Sequence, residues 1–194
     1  SDLLAFAATT HTPYITAWPE HAAEAERKTT YDGFEALGVG FRRAAIDTLV
    51  VVTSEHIVNL EPRMAPPFTI GIGDTHPAFP EPHFKLQSIE RRGDRALARE
   101  LVHELYAAGF DPAHSVEMRR DHGTSLPLNL MAVPAEVAIV PVLVNTRFHP
   151  LPPLARCRAL GEAIARIVRN SALPRRVGML ATGGVSHTVG KPGP

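Results

Sequence analysis

The sequence is poor in cysteine. Cys157 is the only one in 194 residues, so no intramolecular disulfide can form, and a reducing, cytoplasmic setting is expected. It has no charge excess either. Twenty basic and twenty acidic side chains give a formal net charge of zero, which leaves no electrostatic footprint for nucleic acid or an anionic membrane surface. Long apolar runs are also missing. The longest, VAIVPVLV at 137–144, is too short to cross a bilayer. No internal repeat and no low-complexity segment interrupts the chain. The Ser54 region, TSEH, has no Gly-x-Ser-x-Gly elbow around it, which argues against a serine hydrolase. GVG and GIG lack the strand–turn–helix setting of a nucleotide-binding loop. Nucleic-acid and membrane partners are therefore not expected.

What the sequence does have is a globular balance, 44% apolar with 21% charged residues, and enough length for one domain with a substantial core. It opens on Ser1 rather than Met, so a processed or trimmed start is expected. Two residue types are unusually abundant: 18 prolines and 10 histidines. The prolines predict shaped loops, above all EPRMAPP at 61–67 and THPAFPEPHF at 75–84, read as ordered connections near one rim of a sheet. The histidines are the first indication of metal or acid–base chemistry.

Apolar segments at 3–9, 48–54, 68–73, 136–145 and 176–183 read as strands. They are continuous and rich in β-branched residues rather than alternating, which predicts burial on both faces. Pro141 inside the fourth run predicts a bulge or a sheet edge. Residues 94–108 carry Leu97, Leu101, Leu105 and Ala108 on one helical face, with Asp94 as N-cap and Gly109 as stop. Residues 153–170 carry Leu154, Cys157, Leu160, Ile164 and Ile167 likewise, with Pro153 in the first turn. A weaker helix is expected over 31–46, loosened by Gly38 and Gly40. The alternation predicts an α/β fold: a central, mostly buried sheet flanked by helices, with ligands at the C-terminal ends of the strands.

Four histidines stand out by position. His11, His56 and His187 each follow the end of a predicted strand, and His122 sits in a turn before a short helix. Side chains far apart in sequence converge at such an edge. Neutral imidazoles ligate Fe, Zn, Cu or Ni, and two of them with one carboxylate suit either an Fe(II) oxygenase or a Zn-activated water. Histidines that are not ligands can move protons near neutral pH. The other six read as plain: His21 and His103 in helical patterns, and His76, His83, His114 and His149 as solvated residues of proline-flanked loops. Cys157 reads as core.

Five segments in order resemble one family. TTHTPYI, VVVTSEHIVNL with PPFTIGIG, RRDHGTSLPL, VPVLVN with PLPPLARCRALGEAIARI, and LATGGVSHTVGKPG are similar to the motifs of the class III extradiol ring-cleaving dioxygenases, typified by the catalytic (beta) subunit of protocatechuate 4,5-dioxygenase. The resemblance covers nearly the whole chain. It implies a non-heme Fe(II) enzyme that opens the ring of a catechol-type aromatic with O2. On the matching positions, His11 and His56 correspond to the iron-ligating histidines, His187 to the base that deprotonates the diol, and His122 to the second acid–base histidine. The family's third ligand is a glutamate a short distance beyond Ser-His, so residues 1–194 are expected to form a single catalytic domain lacking its C-terminal portion. Ser-Glu-His replaces the family's usual Asp-His, and strand alternation points Glu55 away from the metal. An oligomer is expected, with room for a small partner subunit. The rival readings are a Zn-dependent hydrolase on a related site and a non-enzymatic binding relative of the same fold.

Overall fold

The computed structural model describes residues 1–87 and 89–184. In chain order the elements are β1 (Asp2–Thr9), α1 (Tyr14–Ala17), α2 (Glu24–Arg43), β2 (Thr48–Ser54), β3 (Phe68–Gly71), α3 (Arg95–Ala107), β4 (Ala113–Ser115), α4 (His122–Leu130), β5 (Ala138–Val144), α5 (Leu154–Asn170) and β6 (Arg176–Thr182). They build one mixed sheet in the order β1-β6-β2-β5-β3-β4. Strands β1, β6, β2 and β5 run parallel; β3 turns antiparallel to β5, and β4 follows β3 in parallel.

Alternation along the central strands feeds two cores. Val50, Val140 and Val142 join Leu97, Leu101, Leu105, Leu160, Ile164 and Val168 on the α3/α5 side. Leu49, Val51 and Ile139 join Phe34, Phe41, Leu126 and Met131 on the α2/α4 side. Helices on both faces explain why the central runs are continuously apolar. Asp94 caps α3 by accepting the Leu97 N–H at 3.1 Å, and Gly109 follows the helix at φ +78°, the left-handed stop expected of it.

Several expectations need correction. Strand β1 is not covered on both faces. It is a sheet edge that alternates exposed with partly covered residues, and Phe6 is 58% exposed. Pro141 lies neither at an edge nor in a bulge, because the β2–β5 register is unbroken across Val51↔Pro141. The Ala138 amide bonds toward β2 (to Asp47) and the Ile139 amide away from it (to Arg92). By that alternation the missing N–H at 141 faces away from β2, opposite Gly71. On α5 the apolar stripe starts a turn late: Leu154, its first residue, is 87% exposed.

Helix α2 is 20 residues long and runs straight through Gly38 and Gly40. Gly38 is buried, and a Cβ there would lie 1.9 Å from the Met131 carbonyl oxygen. The glycine is a contact surface between α2 and the end of α4, more than a weak point in α2.

Candidate active site at the strand ends

The C-terminal ends of β1, β2 and β6 deliver the site. Thr9 and Thr182 pair across β1 and β6, while β2 ends on Ser54. The loops that follow bring His11 and His56 together, with ring centroids 4.8 Å apart and nearly perpendicular. His122, the first residue of α4, completes the cluster at 4.2 Å from His56 and 5.8 Å from His11. Three of the four histidines singled out in the sequence thus converge. His187 lies outside the described residues.

Each ring is held through Nδ1. His11 Nδ1 lies 3.0 Å from the Thr182 hydroxyl. That hydroxyl is also 2.7 Å from the Gly123 carbonyl oxygen and 2.8 Å from Thr53 Oγ1. A hydroxyl has one proton, and only the carbonyl cannot donate. Thr182 therefore donates to Gly123, and accepts from Thr53 and from His11 Nδ1–H. His56 Nδ1 donates to Asp121 Oδ2 at 2.9 Å. His122 Nδ1 donates to Glu81 Oε1 at 2.8 Å. Nε2 of His11 and Nε2 of His56 face common ground, 3.4 and 3.3 Å from the same Ser54 hydroxyl. Imidazoles with Nδ1 anchored and Nε2 turned toward a shared point are arranged as metal ligands are, the anchor fixing tautomer and ring angle.

Asp121 does two jobs. Its Oδ1 accepts the Gly123 N–H at 2.8 Å and caps α4, while Oδ2 orients His56. Gly123 completes the Asp-His-Gly motif because nothing larger fits: a Cβ there would meet Thr53 Oγ1 at 2.7 Å and His56 Cε1 at 2.9 Å. His56, Asp121 and His122 offer ligand atoms within 4.8 Å of one another, a candidate metal site. Glu55 is buried and turned into its own loop, where Oε1 accepts the amides of Val58 and Asn59. The donor set, imidazole nitrogens with carboxylates behind them, fits a borderline transition metal such as Fe(II) or Zn(II).

Behind the cluster, Arg120 is 3% exposed and donates to the carbonyls of His76 (2.7 Å) and Ile89 (2.5 Å). Burial, with Arg91 adding repulsion, brings its guanidinium down to about 10. These bonds pin the proline-rich loop at 75–84, which is ordered as expected. His76 was expected to be solvated, yet it is fully buried. Neither ring nitrogen has a hydrogen-bond partner among the described residues. Burial, with the Arg120 charge adding to it, outweighs the opposing pull of the Met118 backbone and holds its imidazole at about 4. Sequence reasoning did not assign roles to Thr53, Ser54, Glu81, Asp121 or Thr182. Only Asp121 carried a signal, as an N-cap residue immediately before the short helix.

The chain is similar in sequence to several known proteins. The chain is 33% identical over 149 residues to a 2,3-dihydroxyphenylpropionate/2,3-dihydroxicinnamic acid 1,2-dioxygenase of Rhodococcus jostii (strain RHA1), covering 74% of this chain and 44% of the relative. It is 35% identical over 150 residues to the protein of the same description from Mycobacterium sp. (strain MCS), covering 73% and 44%. The counterpart in Escherichia coli (strain K12 / DH10B) is 34% identical over 142 residues, covering 73% and 43%. The matches thus cover less than half the length of these relatives. Among the described residues no helix is long and apolar enough to cross a membrane. Residues 5–194 match the model of the catalytic LigB subunit of aromatic ring-opening dioxygenase, and the chain belongs to that extradiol dioxygenase family.

Proposed function

We propose that this protein is an Fe(II)-dependent extradiol dioxygenase that opens the ring of a catechol. The preferred substrate class is that in the relatives' names, a 2,3-dihydroxyphenyl ring with a three-carbon acid side chain. The observation that carries the reading is the pair of Nε2 atoms of His11 and His56 facing one point, with both Nδ1 atoms anchored behind.

In this reading His11 and His56 hold the iron. Asp121 orients His56, its Oδ2 accepting the ring N–H while its Oδ1 accepts the Gly123 amide. The glutamate that completes the triad is expected beyond Pro194. Bound Fe(II) supplies a centre where diol and O2 meet and exchange electron density. The rest falls to side chains. His187 takes a proton from one diol hydroxyl, which favours chelation of the substrate. His122 stands beside His56, and it or the protonated His187 returns a proton as the ring opens. A histidine pair suits this work because one member must accept and the other donate near pH 7. Phe84, with its ring centroid 5.1 Å from that of His122, sets an apolar ring beside it. The lone cysteine suits a reducing, cytoplasmic setting.

The test is anaerobic loading with Fe(II), followed by O2 uptake and the yellow ring-opened product with 2,3-dihydroxyphenylpropionate. His11→Ala and His56→Ala are expected to lose iron. His187→Ala and His122→Ala are expected to keep most of it, with turnover reduced roughly 10²–10⁴-fold. Equal iron content and equal activity across the variants would sink the assignment. So would Zn retention with ester hydrolysis and no O2 uptake.

A further inference from the structure

His122 is gripped by one side chain at two points. Glu81 Oε1 lies 2.8 Å from His122 Nδ1 and Oε2 lies 2.5 Å from its backbone nitrogen. The two side chains are only 10% and 11% exposed. Glu81 sits between Pro80 and Pro82, where both ring constraints narrow the backbone. Its loop is fastened on either side. Phe79 donates to the Arg120 carbonyl and Arg120 to that of Pro77, each at 2.8 Å. The Thr16 hydroxyl donates to the Phe84 carbonyl at 2.6 Å. The carboxylate is therefore presented from a fixed frame.

We propose that Glu81 is a positioning residue for the acid–base histidine: it fixes His122 with the proton on Nδ1, leaving Nε2 as the nitrogen presented to the substrate. An ionised carboxylate can only accept, so the nitrogen facing it must bear hydrogen in either charge state of the ring. Proton exchange with the substrate is then confined to one atom at one angle. This completes a pattern: His11 answers to Thr182, His56 to Asp121 and His122 to Glu81, each through Nδ1. A plain helix-capping role would use only the backbone bond, and Asp121 already caps α4. The inference rests on the reading of His122 as a substrate-facing group.

The test uses the metal-free chain with ¹⁵N-labelled histidine, at a pH where the imidazoles are neutral, together with the Fe(II)-loaded enzyme. Wild type should show His122 as the Nδ1–H tautomer. Glu81→Ala should shift it toward Nε2–H. With 2,3-dihydroxyphenylpropionate, kcat should fall about tenfold, while KM stays within about twofold and iron content is unchanged. Glu81→Gln still offers one acceptor and should recover most of both signals; if Glu81→Ala fails to fold, a smaller tautomer shift in Glu81→Gln decides the matter. An Nε2–H tautomer in wild type would overturn the proposal, as would a tautomer indifferent to position 81 or an unchanged kcat despite a tautomer shift. If no catechol is turned over by wild type, the dioxygenase reading fails at that step, and the tautomer measurement alone decides whether Glu81 fixes the ring.

Discussion

The two rims of the parallel strands use the same residue types to opposite ends. At the N-terminal rim, Asp94 caps α3, accepts the Thr48 hydroxyl at 3.0 Å and binds Arg175 at 2.6 Å. Asp47 accepts the Arg176 amide next to it. Each carboxylate there meets hydrogens that have no other task. At the C-terminal rim, Asp121 and Glu81 are aimed at imidazoles, and each occupies one nitrogen while leaving the other usable. Saturated networks hold a fold together; networks left one bond short are where chemistry can enter.

That contrast can be broken from either side. The largest effect is expected at His76, packed against the faces of Gly71 and Gly93. Its folded value of about 4 lies below the ordinary 6.5, so the unfolded chain binds the proton more tightly. Its contribution is complete above pH 6.5 and fades as pH falls toward 4, costing about 3 kcal/mol by then. His76→Leu should flatten denaturant-derived stability across that window. Next comes Asp94. Burial alone would raise its carboxyl, but Arg175, the Leu97 amide and the Thr48 hydroxyl outweigh that and hold it below the usual range. Its share of stability is present above the ordinary carboxylate value and lost at more acidic pH. Asp94→Ala should cost about 2 kcal/mol in thermal or urea unfolding through the lost cap and orphaned partners, with the proposed ring-opening activity intact. Asp121→Asn should show the smallest change in stability, since asparagine also caps. Iron affinity, read by chelator competition, should weaken roughly tenfold because one side-chain oxygen cannot serve both Gly123 and His56. Loss of activity in Asp94→Ala without loss of stability would erase the distinction between the rims.

The sheet's centre was legible because its strands are buried on both faces and written as unbroken apolar runs. The edge position of β1 was not, because LLAFAAT has the same texture as a central strand. Strand β4 is three residues long and has no periodicity to read. The three clustered histidines were legible through their place after strand ends or before a short helix. Their anchors were not: Glu81 lies 41 residues before His122, and proline spacing reveals that a loop is stiff without revealing where it points. His76 misled for a related reason. Its ring fits against Gly71 and Gly93, whose missing side chains make room for it, and nothing in the local pattern around His76 announces that.

The contact between Gly38 and the Met131 carbonyl makes α2 a remote adjuster of the site. Helix α4 carries His122 and Gly123 at one end and meets Gly38 just beyond the other. A single added methyl at position 38 would push on a rod whose far tip holds His122. Sequence drift in a helix that supplies none of the clustered histidines could thus retune how His122 is aimed, while every residue of the cluster stays the same.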